Sequence, residues 1–401
     1  MKKSYLIARF LSALVLFGHY PIAAEVKASE ATILEGLIAQ AQTGRTTRLL
    51  FLSQDQRDVA FKQMAQLFPV RNIAKSDTVY HLDEDPEDFS GLTYRIAEKD
   101  FALDDFLRMR ASRGFIATKN GQVQFEYYAD GHHRNTQWVS FSVTKSVTSM
   151  LIGAAIKDGY IGSVDQPVVH YLPRLRGTGY ENVTIEQVLQ MASGIAWNED
   201  YADPDSDVAH AGGANGLPLA NYLGSLLNVA EPGAVFNYNT GETNLVGEIL
   251  RAAIGNNAAT YLTHKIWQPY GMESDATWLL GEPGGGETGG CCISATLRDY
   301  VRIGLFAMHG GLLSDGTEVL PRDWMTASTS PSQGAAYYGY LWWLNQNEYA
   351  ARGIFGQQIF VDPESQIVIA AHSNAVTAVN SEYHKHLEAV IRAVRDHLKK
   401  D

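Results

Sequence analysis

Strand-forming sequence is concentrated in two places far apart in this chain, and that separation constrains the fold more than any other feature. In the first, "GFIATKNGQVQFEYYA" (114–129), two β-rich runs flank Asn120-Gly121. That dipeptide favours the tight turn of a β-hairpin. In the second, "YGYLWWLN" (338–345), "GIFGQQIFV" (353–361) and "QIVIAAHS" (366–373) read as three strands, with "DPES" (362–365) as the last turn. Between them lie helical patterns at 184–191, 241–254, 258–268 and 294–308, separated by loops such as "LGEPGGGETGG" (280–290). Thr184 and Gln187 fit a capping box at the start of the first. The C-terminal stretch 381–400 places Leu387, Val390, Ile391, Val394 and Leu398 on one helical face. Hairpins imply antiparallel pairing, and segregated helices imply an α+β fold. The expectation is an antiparallel sheet assembled from both chain ends and flanked by helices, with sheet parts at about 101–141 and 336–401. A mostly helical part, about 142–335, is inserted between them.

The N-terminus reads as an export signal over residues 1–24. Lys2 and Lys3 precede an apolar run from Leu6 to Phe17, interrupted by Arg9, and small residues follow at Ala23 and Ala24. The expected mature protein is periplasmic or secreted, with no stable membrane span. No cysteine follows the apolar run, so a lipoprotein attachment site is absent. Residues 25–100 form an N-terminal extension with helical patterns at 31–42 and 55–67, then the acidic connector "HLDEDPEDFSG" (81–91). The chain has 401 residues, 45% of them hydrophobic, which is enough to bury a large core. A formal net charge of -12 argues against a nucleic-acid partner. The only two cysteines, Cys291 and Cys292, are adjacent and are expected to be two small buried thiols rather than a bonded pair.

The residues that carry chemistry begin at "WVSFSVTKSVTSMLIGAAIKDG" (138–159). Ser142 and Lys145 stand three apart where an apolar helix begins, so their side chains share a face. A serine hydroxyl becomes a nucleophile when a base takes its proton. A lysine becomes that base only when burial or a neighbouring positive charge lowers its pKa. The positive end of the helix works in the same direction and also offers free N–H groups, that of Ser142 among them, to an oxyanion. Taken by itself the tetrapeptide is a low-specificity match: a capping serine and a solvated lysine give the same pattern. Two other stretches bear on the choice. Tyr238 in "PGAVFNYNTGETNLVGEIL" (232–250) precedes a helix, and a tyrosine near a lysine can take a lowered pKa and shuttle a proton. Gly353 and Gly356 in "RGIFGQQIFVDPESQIVIA" (352–370) mark a strand to whose backbone something must come close.

This order, Ser-x-x-Lys, then Tyr, then a glycine-bearing strand near the C-terminus, resembles the penicillin-recognising serine hydrolases. Within them it is similar to the class C β-lactamase-like branch and the family VIII-type esterases, and most similar to the 6-aminohexanoate-dimer hydrolase type. The segments "SFSVTKSVTSMLIGAAIKDGYIGSVDQPV" and "TIEQVLQMASGIAWNEDY" carry that last likeness. The resemblance implies a β-lactamase/DD-peptidase-like fold and a set of roles. Ser142 is the acylated nucleophile, Lys145 accepts its proton, and Tyr238 acts with Lys145 as acid and base. The N–H groups of Ser142 and Gln357 form the oxyanion hole. Tyr201 contacts substrate, as do Thr240, Ile354, Phe355 and Gly356. Neither cofactor nor metal is implied, and the partner is a small ester or amide.

Two departures bear on substrate. Class C β-lactamases carry Tyr-x-Asn, where this chain has Thr240 in the third position, and Lys-Thr-Gly on the late strand, where it has Ile354-Phe355-Gly356. The missing lysine removes a cation that would pair with a β-lactam carboxylate. An ester or simple amide is therefore the expected substrate. The alternatives are a β-lactamase or D-alanyl-D-alanine peptidase, or a non-catalytic ligand-binding scaffold. There is no Gly-x-Ser-x-Gly elbow, no His-Glu-x-x-His and no phosphate-binding loop. His132-His133 and His384/His386 read as surface residues, and the acidic loop "NEDYADPDSD" (198–207) as a solvated one.

Overall fold

The computed structural model describes residues 28–42 and 49–400. The signal segment 1–24 lies outside them. The strands, in chain order, are β1 (Val70–Ile73), β2 (Thr93–Ile96), β3 (Lys99–Ala102), β4 (Ser112–Lys119), β5 (Gln122–Tyr128) and β6 (Trp138–Val139). They continue with β7 (Ala276–Leu279), β8 (Ile293–Ala295), β9 (Trp343–Asn345), β10 (Glu348–Gly353), β11 (Gln357–Asp362) and β12 (Ile367–Ser373). The main sheet has the order β5-β4-β12-β11-β10-β9, all antiparallel. Its adjacent strands β4 and β12 come from opposite ends of the chain, in the register Ile367↔Lys119 to Ala371↔Phe115. The β4–β5 hairpin turns at Asn120-Gly121, whose φ angles of 52° and 77° are those the primed turn requires.

Alternation along β12 explains the layering. Ile367, Ile369 and Ala371 face the C-terminal helix Glu382–Leu398, which buries Leu387, Val390, Ile391, Val394 and Leu398. Val368 and Ala370 face the other core, which holds the helices Val143–Lys157, Thr240–Ile254 and Leu297–Met308. The first of these is buried all round from Val143 to Ala155. That is the signature of a central helix rather than an amphipathic surface one. Two of its buried hydroxyls are paired within the core: Ser146 Oγ donates to Leu341 O (2.7 Å) and Thr148 Oγ1 to Gly289 O (2.7 Å).

Several expectations need correction. The helical body contains strands, because β7 and β8 join β1 and β6 in a second sheet of order β1-β7-β8-β6. The N-terminal extension thereby supplies a strand to it, and Phe61 is fully buried against Trp138 and Phe141. The stretch 353–361 is not one strand. Residues 354–356 form a tight turn, with Phe355 at φ 61°, between β10 and β11. Strand β9 covers only the end of 338–345, and β10 was not foreseen. Cys291 and Cys292 are bonded to each other, not separate thiols, and the peptide between them is cis. His132 and His386 are buried: the imidazole of His132 meets that of His372 at 3.0 Å, and that of His386 meets the Tyr94 hydroxyl at 2.6 Å. No helix among the described residues is long and apolar enough to cross a membrane.

Candidate active site

Ser142 stands at the N-cap position of the helix Val143–Lys157, yet its hydroxyl makes no capping bond. The backbone turns sharply just before it, with Phe141 at φ 45°, a strained value for a bulky residue. Phe141 is held there by ring contacts to Phe61 and Phe355. The N–H groups of Val143, Thr144 and Lys145 are spent on carbonyls of residues 140–142. That of Ser142 donates to no acceptor among the described residues. Opposite it, a Cβ on Gly353 would lie 2.4 Å from Ser140 O and 3.2 Å from Ser142 N. Only glycine lets the end of β10 come this close. Gln357, at the start of β11, has its side chain locked away from the opening. Its Oε1 accepts from Trp138 Nε1 (3.0 Å) and Ser373 N (3.0 Å), and its Nε2 donates to Ser373 O (2.6 Å).

Lys145 is 1% exposed. Its Nζ donates to Thr240 Oγ1 (2.9 Å) and Gly290 O (3.2 Å) and lies 5.3 Å from the centre of the Tyr238 ring. The Ser142 hydroxyl acts on the Tyr238 phenol, where it lowers the pKa, while the Lys145 amine is directed at Thr240 and Gly290. Burial pulls the Lys145 amine down to about 8, against the charge of Glu199, which pulls the other way. Tyr238 behaves opposite to expectation. Burial and the Glu199 charge push its phenol up, and the Ser142 hydrogen bond only partly offsets them. Its ring stacks on Trp343 at 5.7 Å.

Glu199 is the residue that sequence reading missed. It lies in the acidic loop taken as solvated, but its carboxylate is fully engaged. Oε1 accepts from the hydroxyls of Tyr201 (2.7 Å) and Thr240, and Oε2 accepts from Thr240 N (3.0 Å) and Trp197 Nε1. Because Thr240 gives its proton to Glu199, its oxygen must accept from Lys145. Gly290, at the end of the glycine-rich loop, was missed too. A Cβ there would sit 2.8 Å from Lys145 Nζ.

Two cavities meet at Ser142. One, of about 380 Å³, is lined by Glu199, Tyr238, Arg352, Gln357, His384 and Glu388 among others. The second, of about 440 Å³, lies on the side of Phe141, Val208, Leu279 and the Cys291–Cys292 pair. Tyr201 and Ile354 face both. Thr240 lines the second and Gly356 the first. Phe355 faces neither: it is buried in the core beneath the Arg57 guanidinium, 4.3 Å away.

Fold and site together define a hydrolase built on the β-lactamase architecture. The Beta-lactamase family matches residues 107–393, and the chain belongs to that family. It is 28% identical over 340 residues to the 6-aminohexanoate-dimer hydrolase of Paenarthrobacter ureafaciens, an alignment covering 79% of this chain and 84% of that protein. Among solved structures it is similar to a Bacillus anthracis protein proposed to be a 6-aminohexanoate-dimer hydrolase, with TM-score 0.74, 20% identity and coverage of 84% of this chain and 92% of the other. A family VIII carboxylesterase shares the fold at TM-score 0.55 and 17% identity, covering 71% of this chain and 92% of the other.

Proposed function

We propose that this protein hydrolyses an ester or amide through an acyl-enzyme on Ser142. The observation that carries this reading is the hydrogen-bonding of Lys145. A neutral amine has two N–H donors and one lone pair. Thr240 Oγ1 and Gly290 O take the two donors, which leaves the lone pair as the remaining group on Nζ. The Ser142 proton goes to that lone pair, and Oγ attacks the scissile carbonyl. The N–H groups of Ser142 and Gln357 hold the oxyanion. Tyr238, kept protonated by burial and by Glu199, gives its proton to the leaving group and is reprotonated from Lys145. In deacylation the same pair takes a proton from water. Glu199 fixes Thr240, and through it the orientation of the amine.

The relatives named as a 6-aminohexanoate-dimer hydrolase and a carboxylesterase support an amide or ester rather than a β-lactam, as does Ile354-Phe355-Gly356 in place of Lys-Thr-Gly. A nitrophenyl ester should show a burst of nitrophenol followed by slower turnover. Turnover of a chromogenic cephalosporin in preference to every ester and linear amide would contradict this reading. So would labelling of Ser142 by a fluorophosphonate with no ester or amide turned over. The proposal includes export: the N-terminus of the mature protein should begin at Glu25, read by N-terminal sequencing of the exported protein.

A further inference from the structure

Arg57 is 4% exposed although it belongs to the N-terminal extension, outside the residues 107–393 that the family matches. It lies on the helix Gln54–Ala60, whose start is fixed by a capping box at Ser53. Burying a guanidinium is costly unless its donors are met, and its acceptors show what this one holds. Nε donates to Asn374 Oδ1 (2.9 Å), and Nη2 donates to Ala375 O (2.8 Å) and Val376 O (3.0 Å). Nη1 donates to Leu52 O (2.8 Å). Two more bonds fasten the same place: Gln54 Nε2 donates to Asn374 O (2.6 Å), and Asn374 Nδ2 donates to Asp58 Oδ1 (2.6 Å). The segment held in this way supports the turn at 354–356. Ala375 N donates to Phe355 O (3.0 Å), Phe355 N donates to Ala378 O (2.8 Å), and Ser373 is the partner of the locked Gln357 side chain. The guanidinium also covers the Phe355 ring. The other side of the site is reached from the same helix. Phe61, its C-cap, meets the rings of Phe141 (5.0 Å) and Phe355 (5.6 Å), and its carbonyl accepts from Val139 N (3.1 Å). One helix of the extension thus contacts both Phe141, next to Ser142, and the turn that leads into Gln357.

We infer that this helix positions the oxyanion hole, with Arg57 as its positioning residue. The guanidinium holds 374–376, that segment holds the turn at 354–356, and the turn sets the direction of the Gln357 N–H. The inference rests on the acyl-enzyme reading above and deepens it, giving the N-terminal extension a part in the reaction. An apolar side chain could fill the space over Phe355, but only a rigid fork of donors fixes a side-chain oxygen and two carbonyls at once.

The test uses the full-length mature protein. Arg57→Met keeps bulk over Phe355 and removes the donors. With one oxyanion donor displaced, kcat for nitrophenyl acetate should fall ~10-fold or more, while KM changes less than about threefold. Nitrophenyl thionoacetate, whose sulfur is the poorer acceptor, should lose less, so the oxygen-to-sulfur rate ratio should fall by about threefold or more. A trifluoromethyl ketone, whose adduct on Ser142 carries a full oxyanion, should bind ~10-fold more weakly. The acid limb near pH 8 should stay in place, because Lys145 is untouched. Asn374→Ala removes one of the same links; it should move these quantities in the same direction and covers a failure of the first variant to fold. Leu37→Ala, buried in the apolar core that Phe61 and Phe355 share, should lower Tm and leave the ratio alone. A ratio that falls as far in Leu37→Ala would make Arg57 a stability residue and overturn the inference, and a shifted acid limb in Arg57→Met would do so by routing the effect through the amine. Unchanged kcat and ratio in Arg57→Met and Asn374→Ala, with acyl-Ser142 still formed, would sink the positioning role alone. Ester turnover undiminished in Ser142→Ala would sink the acyl-enzyme reading, and the oxyanion role of the helix with it.

Discussion

The two cavities that meet at Ser142 are made differently. The charged one is framed by the late strands and the C-terminal helix, with Arg352 and Glu388 paired across 3.4 Å at its edge. The apolar one is framed by loops, a short helix and the N-terminal extension. Between them sits a rigid centre of a buried helix start, an amine held by two acceptors, and a carboxylate holding one of those acceptors. The lesson is a division of labour. Changes at the centre should affect every substrate alike, whereas changes in one cavity should affect only the substrates that reach into it.

The largest effects test the shared centre. Ser142→Ala should abolish ester hydrolysis for short and long substrates together. Lys145→Ala should lower acylation by ~10²–10⁴-fold, measured by stopped flow; a loss below tenfold would make the amine a bystander. Gly290→Ala comes next. Its Cβ would crowd Nζ at 2.8 Å, so kcat should fall tenfold or more with little change in thermal stability, since the amine is displaced but the fold is not. A smaller, directional effect concerns pH. Lys145 acts when neutral and its pKa is lowered to about 8, so kcat/KM should rise as pH increases through that value. Glu199 raises that pKa, so Glu199→Gln should move this acid limb to lower pH, while also lowering the rate by loosening Thr240. A limb that moves upward would remove Glu199 from the electrostatics of the amine. The smallest effect lies in the charged cavity. Arg352→Ala should alter KM for carboxylate-bearing esters only a few-fold, because Glu388 already neutralises it and a solvent-facing pair is worth about 0–1 kcal/mol.

How much of this could be read from sequence depends on whether the signal was local. The hairpin at 112–128 was legible because Asn120-Gly121 is a local turn code, and the C-terminal helix because its apolar positions keep helical period. The turn at 354–356 was not: Ile354 and Phe355 favour extended chain, and the positive φ of Phe355 is imposed by packing against Phe61, Phe141 and Arg57. Strands β7 and β8 were missed because each is short and, beyond each other, their partners β1 and β6 lie far away in the chain. At the site, Ser142 and Lys145 were visible as a spacing. Glu199 was hidden among four other acidic residues within 199–207, and nothing local separates a solvated carboxylate from one that collects four hydrogen bonds. The sign of the shift at Tyr238 also escaped, because the resemblance pairs it with Lys145 while the sequence shows neither the burial nor the carboxylate that outweighs that lysine.

The most direct test is to quench the protein in acid during turnover of a slow nitrophenyl ester and locate the adduct by mass spectrometry of its peptides. An acyl group on Ser142, appearing within the burst and absent from Ser142→Ala, is the predicted result. Full turnover with no adduct on Ser142, undiminished in the Ser142→Ala protein, would contradict it.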